Sequence, residues 1–301
     1  MEKHRVLLTG ITGFIGSHLA LRLLREGYEV HAIVRSNSKI NALCSELLHM
    51  VQFHRVEVSR DLPEIIKESS PELVYHLASL YLSGHEYKDI PELMESNIVF
   101  GTQLLEAMKV HHVCRFVNAG TSWQHYQDAS YNPVNLYAAS KQAFLDILRY
   151  YEAVMELQVI NLQLFDTYGP GDKRRKIMDL LKENALQKET LRMSPGEQYL
   201  DLMHVDDVVD AFLLAGKYLL EGQYEYCGTY ALSSGHLITL QELAKLYEKI
   251  TGQTLHIMWG GRPYREREVM IPWQTGKSLP GFSPAISLEE GIRRFALKSD
   301  Q

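Results

Sequence analysis

Short apolar runs alternate with longer amphipathic stretches along the first half of the chain. The apolar runs have the length of strands that are buried on both faces. The stretches between them place hydrophobic residues at helical spacing, as Leu19 and Leu23 do after the first run. Because strands alternate with helices, the pattern predicts a doubly wound parallel α/β sheet. The predicted strands cover residues 5–8, 29–34, 51–58, 73–77, 115–117 and 159–165, and the main helices cover residues 17–25, 91–110 and 135–150.

The alternation loosens after residue 165. The sequence predicts a turn at 168–172, helices at 177–187, 206–220, 240–252 and 287–295, an extended segment at 199–205 and a strand at 230–232. No internal repeat or linker separates these elements, so we expect a second, smaller lobe built from discontinuous segments. The expected division is a sheet domain of residues 1–165, to which 203–228 return, and a lobe of residues 166–202 and 229–301.

Composition argues against several classes of protein. The net charge of −6 over 301 residues argues against a general nucleic-acid binder. The cysteines, Cys44, Cys114 and Cys227, are few and widely spaced, which predicts a reducing compartment and no disulfide framework. No metal-ligand spacing such as His-Glu-x-x-His occurs, so no metal is expected. The sequence shows no signal-peptide pattern and no apolar run long enough to span a bilayer, and we therefore expect a cytoplasmic protein.

Three glycines, Gly10, Gly13 and Gly16, connect the first predicted strand to the first predicted helix. A strand, a glycine turn and a helix in this order form the geometry that binds the pyrophosphate of a dinucleotide. Gly10 permits the tight turn, Gly13 lets the backbone approach the phosphates, and Gly16 lets the helix pack close to the strand. The free N–H groups at the helix N-terminus then face the anion. The turn predicts a dinucleotide cofactor, and an ordinary glycine turn is the alternative.

The end of the second predicted strand bears on which dinucleotide binds. An NAD site usually places an acidic residue there, which accepts a hydrogen bond from the ribose 2′-hydroxyl. This chain has Val34 at that place, followed by Arg35 and Ser36. An arginine and a hydroxyl suit a 2′-phosphate, and no carboxylate repels it. The sequence therefore predicts NADP(H), with a solvated loop arginine as the alternative interpretation of Arg35.

Tyr137 and Lys141 lie one turn apart on the same face of the predicted helix 135–150. A phenol can supply the proton that an alkoxide needs when hydride reduces a ketone. The pKa of a phenol is ordinarily about 10, and the ammonium of Lys141 is expected to lower it towards neutrality. Thr121 follows the fifth predicted strand and is expected to orient the ketone oxygen. A tyrosine and a lysine at this spacing are common on solvated helix faces. The preceding glycine turn and Thr121 make the catalytic interpretation of this pair specific.

These motifs resemble those of the extended short-chain dehydrogenase/reductases, in particular the branch of nucleotide-sugar epimerases, dehydratases and reductases. The resemblance covers nearly the whole chain and is carried by residues 9–16, 76–79, 137–141, 165–170, 201–207 and 287–291. It implies a Rossmann domain that binds NADP(H), with Tyr137 and Lys141 as the catalytic pair and Thr121 in the family's Ser/Thr role. The cofactor-binding residues that follow from the turn and the resemblance are Gly10, Thr12, Gly13, Phe14, Ile15, Gly16, Arg35, Ser36, Glu57, Val58, Leu77, Ala78, Ser79, Asn97, Tyr137, Lys141 and Leu164.

Three departures from the family pattern narrow the expected activity. Dehydratases of this branch follow the catalytic threonine with Asp-Glu, whereas this chain has Ser122-Trp123. The epimerases hold NAD through an acid that Val34 replaces here. Leu200 stands where the family has an arginine that contacts the substrate diphosphate, so another arginine is expected to substitute. The expected substrate-binding residues are Ser122, Trp123, His125, Asp166, Arg174, Arg262 and Arg265.

The run 121–126 is similar to that of the CDP-linked 3,6-dideoxyhexose 4-ketoreductases. The resemblance implies that Trp123, His125 and Tyr126 line the sugar pocket, and a role as packed core residues is the alternative. The expected activity is NADPH-dependent reduction of the 4-keto group of a nucleotide-linked deoxyhexose, with CDP as the expected nucleotide. The alternatives are an NAD-dependent nucleotide-sugar 4-epimerase and a non-catalytic NADP-binding sensor or scaffold. A homodimer through the helices near 91–110 and 136–153 is expected by resemblance, without a nucleic-acid or membrane partner.

Overall fold

A parallel sheet lies at the centre of the protein. The computed structural model describes residues 3–57 and 61–297, and seven strands of this part of the chain form the sheet. All neighbouring strands are parallel, as the alternating pattern predicts. From one edge to the other they are β3 (Gln52–Val56), β2 (Glu29–Arg35), β1 (Arg5–Thr9), β4 (Leu73–His76), β5 (Arg115–Thr121), β6 (Gln158–Leu164) and β10 (Gly228–Leu232).

Helices cover both faces of this sheet because successive strand residues point to opposite sides. Val6 and Leu8 of β1 belong to one hydrophobic cluster, and Leu7 between them belongs to another. The first cluster is covered by α1 (Phe14–Arg25), α2 (Ser45–Met50) and α8 (Val205–Leu220). The second is covered by α3 (Leu62–Ser69), α5 (Phe100–Val110) and α6 (Leu136–Met155). The doubly wound architecture predicted from the sequence is confirmed.

The fifth strand is longer than the pattern of apolar and polar residues predicts. The sequence places the end of the fifth strand at residue 117, whereas β5 continues to Thr121. The side chain of Asn118 points into the interior, where its Nδ2 donates to Asn161 Oδ1 on β6 at 2.7 Å. A buried strand is expected to carry apolar side chains, but at this position a hydrogen-bonded pair of amide side chains is buried instead. The third predicted strand is shorter than expected, because β3 ends at Val56 and Val58 lies outside the described residues.

A second layer of structure follows β6. β9 (Tyr199–His204) pairs with β7 (Asp166–Tyr168) and with β11 (Leu237–Thr239), while β8 (Leu191–Arg192) pairs with β12 (Ile257–Met258). The extended segment predicted at 199–205 corresponds to β9, whereas the other four strands were not predicted because two or three residues carry no periodic signal. The helices of this region are α7 (Ile177–Gln187), α9 (Leu240–Thr251) and α10 (Leu288–Leu297). Among the described residues, no helix is both long enough and apolar enough to cross a membrane.

The expected lobe coincides largely with a third hydrophobic cluster. Its buried members, from Tyr168 to Phe295, all come from residues 166–202 and 229–301. Two features cross the expected boundary. β10 joins the large sheet, so the boundary at 228 falls inside this strand, and the buried side chain of Leu279 packs with the first cluster.

Gly216 of α8 and Tyr75 of β4 make a testable contact in the sheet domain. A Cβ on Gly216 would overlap the hydroxyl of Tyr75, and this buried hydroxyl has no hydrogen-bond partner among the described residues. We expect Gly216→Ala to destabilise the protein by about 2 kcal/mol. Tyr75→Phe should be neutral or stabilise it by ~1 kcal/mol, because an unsatisfied polar group is removed. In the Tyr75→Phe background, Gly216→Ala should lose part of its effect, because the shortest overlap is removed while the ring Cζ of residue 75 and Leu73 Cδ2 remain 2.7 and 2.9 Å from the new Cβ.

Urea unfolding of the two single variants and the double variant measures this coupling. An equal loss of stability on Gly216→Ala in both backgrounds would show that the two groups do not compete for space.

Candidate active site

The glycine turn lies between β1 and α1 at the carboxyl edge of the sheet. Gly10 has a φ of +81°, and a Cβ there would lie 2.7 Å from the backbone N of Ala78. The N–H of Gly13 donates to the oxygen of Gly10 at 2.9 Å, and a Cβ on Gly16 would overlap that same oxygen. Gly13 caps α1 without a side-chain hydrogen bond, which leaves the first backbone N–H groups of the helix available. This cradle fits a dinucleotide pyrophosphate.

The other residues predicted to hold the cofactor lie along the same edge, because all the strands that carry them are parallel. Thr12, Phe14 and Ile15 belong to the turn and the start of α1. Arg35 ends β2 and Ser36 follows it, Glu57 follows β3, and Leu164 ends β6. Leu77, Ala78 and Ser79 follow β4. Arg35 is mostly exposed, with its Nη1 3.9 Å from Glu92 Oε1. The guanidinium of Arg55, which the sequence did not single out, donates to the Ser36 oxygen at 3.1 Å. Val58 lies outside the described residues.

Asn97 is buried inside a helix rather than exposed at the cofactor edge. It lies in a π turn, Glu95–Val99, between α4 (Ile90–Met94) and α5. Its Oδ1 accepts from Ser79 Oγ at 3.1 Å and from the N–H of Leu80 at 2.7 Å. Its Nδ2 donates to the Leu80 oxygen at 3.1 Å and to Ser140 Oγ at 3.0 Å. Asn97 therefore fixes the loop after β4 against α6.

Tyr137 lies in the first turn of α6, where three elements meet. The helix begins there because the side chain of Asn135 accepts a hydrogen bond from the N–H of Ala138 at 3.0 Å. The hydroxyl of Tyr137 is hydrogen-bonded to Ser79, after β4, and to Thr121, at the end of β5. Although the ring is partly exposed in the cleft, its surroundings desolvate the hydroxyl and raise its pKa to about 12. The lowered pKa expected from Lys141 is not observed, because burial outweighs the two hydrogen bonds and the nearby charge of Arg174.

Lys141 lies one turn further along α6 with only 2% of its surface exposed. Burial lowers its pKa from the ordinary 10.5 to about 8. Behind it, burial and the Lys141 charge lower the pKa of His76 to about 3, so that this imidazole is neutral. His76 Nδ1 lies 2.9 Å from the hydroxyl of Thr9. The site therefore contains a buried cation with a neutral neighbour.

A cavity of about 460 Å³ begins directly after β5, where Ser122 and Trp123 line it, and Tyr81 connects Tyr137 to this lining through ring contacts with both Tyr137 and Trp123. Of the residues predicted to bind substrate, Ser122, Trp123, His125, Asp166 and Arg265 line it, together with Tyr126. The other two arginines, Arg174 and Arg262, do not line this cavity, although the charge of Arg174 acts on Tyr137. Arg174 packs over the ring of Phe14, 4.8 Å from its centroid, and pairs with Asp172, while Arg262 is exposed and its N–H donates to the Met193 oxygen.

The structure adds residues that the sequence analysis missed. Tyr81 packs edge-on against Tyr137, with ring centroids 5.2 Å apart. Lys176 Nζ lies 5.4 Å from the Tyr81 centroid and 3.2 Å from Asp166 Oδ1. Arg267 and Trp273 also line the cavity. The basic run 173–176 and the charged stretch 262–268 were signals for Lys176 and Arg267, whereas Tyr81 and Trp273 lie in loops without any periodic pattern.

Known proteins that are similar to this chain agree on its family and its fold. The model of the NAD dependent epimerase/dehydratase family matches residues 6–225. A CDP-abequose synthase from Yersinia pseudotuberculosis is 30% identical over 272 residues, which cover 89% of this chain and 91% of that protein. A UDP-glucose 4-epimerase from Mycolicibacterium smegmatis is 30% identical over 241 residues, which cover 75% of this chain and 77% of that protein. The structure of Thermus thermophilus UDP-glucose 4-epimerase in complex with NAD has a TM-score of 0.81 at 24% identity, covers 97% of both chains, and shows the common fold.

The buried charge of Lys141 predicts a gain of stability when it is removed. The lowered pKa means that the folded state disfavours the ammonium by ~3 kcal/mol at neutral pH. We therefore expect Lys141→Met to be more stable than the wild type by up to this amount at pH 7. Between pH 8 and 10.5 the unfolded wild type binds more protons than the folded protein, so the wild type gains stability and the difference shrinks.

Urea unfolding at several pH values measures this difference. Lys109→Met is a suitable control, because Lys109 is on the surface and pairs with Glu106 at 3.5 Å. A Lys141→Met variant that is less stable than the wild type at pH 7 would contradict the assignment of an unfavourable buried ammonium.

Proposed function

The chain belongs to the NAD dependent epimerase/dehydratase family, and from this premise we propose that it reduces the 4-keto group of a nucleotide-linked deoxyhexose with NADPH. The family and the curated relatives make it an oxidoreductase-like enzyme that modifies nucleotide sugars. The observation that carries the finer proposal is the hydroxyl of Tyr137, which is protonated and interacts with Ser79 and Thr121, directly before the residues Ser122 and Trp123 that line the cavity. The similarity to CDP-abequose synthases supports a CDP-linked sugar as the substrate.

The residues around Tyr137 suit proton donation to a ketone oxygen. Bound NADPH supplies the hydride that adds to C4. Tyr137 passes its proton to the oxygen at C4, and its raised pKa keeps this proton in place at neutral pH until charge develops on that oxygen. Thr121 donates a second hydrogen bond to the same oxygen and fixes its position. The charge of Arg174 lowers the pKa of Tyr137 and therefore favours the phenolate that remains, and the buried ammonium of Lys141 lies one helical turn away on the same helix.

The end of β2 supports NADPH rather than NADH. The guanidinium of Arg55 donates to the Ser36 oxygen, and Arg35 is the last residue of β2, at the place where the adenosine ribose of a bound cofactor would lie. A 2′-phosphate gains charge-assisted hydrogen bonds at such a place. Glu92, the carboxylate near Arg35, is 3.9 Å away and weakly coupled at this exposed position.

The described residues also support the expected domains and a homodimer. Residues 1–165 and 203–228 form the NADP-binding domain, and the cluster around Tyr168 supports residues 166–202 and 229–301 as the nucleotide-sugar lobe. Val110, Tyr150 and Val154 are large apolar residues exposed on α5 and α6. These helices are the ones expected to pair between two copies, and burying such side chains is favourable.

An NAD-dependent 4-epimerase is the second candidate. It is favoured by the 30% identity to a UDP-glucose 4-epimerase. An epimerase needs its tyrosine as a base in the first half-reaction, and the positive charge of bound oxidised nicotinamide would have to lower the raised pKa of Tyr137 for that role. Identification of the nucleotide released from the purified protein separates the candidates, because stoichiometric NAD would favour the epimerase.

Tyr137→Phe tests the role of the phenol. We expect kcat for reduction of a CDP-linked 4-keto-6-deoxyhexose to fall by roughly 10²–10⁴-fold, since the proton donor is lost. NADPH affinity, measured by fluorescence titration, should change by no more than about threefold. Tyr151→Phe on the same helix is the control, because Tyr151 bonds to Glu106 away from the cavity. Full activity of Tyr137→Phe would refute the mechanism, and a wild type inactive on every keto sugar would favour a binding-only protein.

Arg35→Glu tests the choice of cofactor. We expect the Kd of NADPH to rise by about 30-fold or more, because a carboxylate replaces the partner of the 2′-phosphate. The Kd of NADH should stay the same or fall. Arg25→Glu is the control, since Arg25 is exposed on α1 and pairs with Glu46. Equal affinities of the wild type for NADPH and NADH would contradict the proposed preference.

A further inference from the structure

Trp273 forms one wall of the cavity, although it lies far along the chain from the predicted catalytic residues. Its ring stacks on His125 with centroids 3.7 Å apart and an interplanar angle of 13°. It is also parallel to Phe165, with centroids 6.4 Å apart and an angle of 8°. A Cβ on Gly276 would lie 2.8 Å from the indole, so the backbone also packs against the ring. The indole is therefore fixed from several sides.

Hydrogen bonds to the carboxylate of Asp128 hold the segment that carries Trp273. Trp273 Nε1 donates to Thr275 Oγ1 at 3.0 Å, and Thr275 Oγ1 donates to Asp128 Oδ1 at 3.2 Å. The N–H groups of Gln274 and Thr275 donate to the same carboxylate oxygen at 2.9 and 3.2 Å. These bonds connect the loop after β5 to a segment almost 150 residues later, and they leave the indole N–H with a partner inside the protein.

His125 supports this wall and has no ring nitrogen left for a ligand. Its Nδ1 lies 3.0 Å from the Ala129 oxygen, to which it donates, and its Nε2 accepts from Gln163 Nε2 at 2.9 Å. Both positions of the imidazole are therefore occupied. The sequence analysis assigned His125 to substrate binding, and the structure favours a role in positioning Trp273 through ring stacking.

The part of the site next to Tyr137, where the sugar would bind, is also lined by aromatic rings. Tyr81 lies between Tyr137 and Trp123, with ring centroids 5.2 and 5.7 Å from theirs. A ketone carbon within reach of the Tyr137 hydroxyl must lie next to these rings. A sugar hydroxyl pressed against ring faces loses water without gaining a partner, and a hydrophobic site rejects such a group by about 10- to 100-fold.

We infer that Trp273 determines specificity by favouring a sugar that lacks a hydroxyl on the edge facing it, and that His125 and Asp128 are positioning residues for this ring. The inference deepens the proposed function, on which it rests for the nucleotide-sugar ligand. The stacked rings themselves offer the sugar no hydrogen-bonding group, because the indole N–H of Trp273 and both ring nitrogens of His125 are bonded within the protein, although polar residues such as Asp201 and Arg265 line the same cavity.

Calorimetric binding of unreactive sugars to the full chain with NADPH tests the wall independently of turnover. The probes are CDP-glucose, CDP-6-deoxyglucose and CDP-3,6-dideoxyglucose. We expect the wild type to bind at least one deoxy sugar about 10-fold or more tightly than CDP-glucose. Trp273→Phe keeps an apolar ring and should retain this ratio, whereas Trp273→Gln adds an amide and should reduce it to within about threefold. Trp259→Phe is the control, because Trp259 packs against Gly196 and does not line the cavity.

Two further variants separate positioning from general stability. His125→Phe retains the stacking and should keep the ratio of Kd values, while His125→Ala and Asp128→Ala should lower it by about threefold or more at unchanged NADPH affinity. Equal binding of the three sugars by the wild type, no binding of any, or a full ratio in Trp273→Gln would overturn the inference. Sugar discrimination without reduction of any 4-keto sugar would instead refute the proposed function and leave the inference intact.

Discussion

The hydroxyl of Tyr137 is the point on which the rest of the site depends. It joins the end of β5 through Thr121, the loop after β4 through Ser79, and the first turn of α6. Separate hydrogen bonds fix the helix and the loop after β4. Asn135 starts the helix, and Asn97 holds the loop after β4 through bonds to Ser79, Leu80 and Ser140. The π turn around Asn97 turns its amide towards these groups, which is a common reason for such turns at functional sites. The position of the Tyr137 oxygen therefore depends on the parallel sheet, on the π turn around Asn97 and on α6.

The same region contains groups whose burial is unfavourable for folding. Lys141 and the Tyr137 hydroxyl are desolvated, and their pKa values move in the directions that favour the neutral forms. His76, close to Lys141, is neutral as well, so it adds no repulsive charge. A folded chain tolerates such groups where function requires them and where the surrounding clusters are large enough to offset them. Here the two sheet clusters supply that stability on both faces.

The sequence predicted most of the sheet domain, because buried parallel strands and the glycine turn are local signals. It misplaced the end of β5, since Asn118 looks like a turn residue until its partner Asn161, 43 positions later, is known. It selected Arg174 and Arg262 by charge alone, and charge does not say whether an arginine faces a cavity. Arg174 instead pairs with Asp172 beside Phe14. Tyr81 and Trp273 could not be found, because their roles come from contacts between loops that no periodicity encodes.

The proposed proton donor and the proposed sugar-selecting residue lie in different parts of the chain. Ser79, Thr121, Tyr137 and Lys141 lie at the edge of the sheet, where parallel strands and a capped helix leave little freedom. The aromatic wall depends on Trp273, in a segment without strands or helices that is attached to the sheet domain through Asp128 and His125. Such a segment can change its side chains without disturbing the proton donor. The two parts meet at Tyr81, whose ring packs against both Tyr137 and Trp123, and Trp123 lines the cavity together with Trp273. In the proposed reductase, aromatic rings that exclude water from the bound sugar would also strengthen the polar interactions of the proton donor, because such interactions are stronger in a dry site.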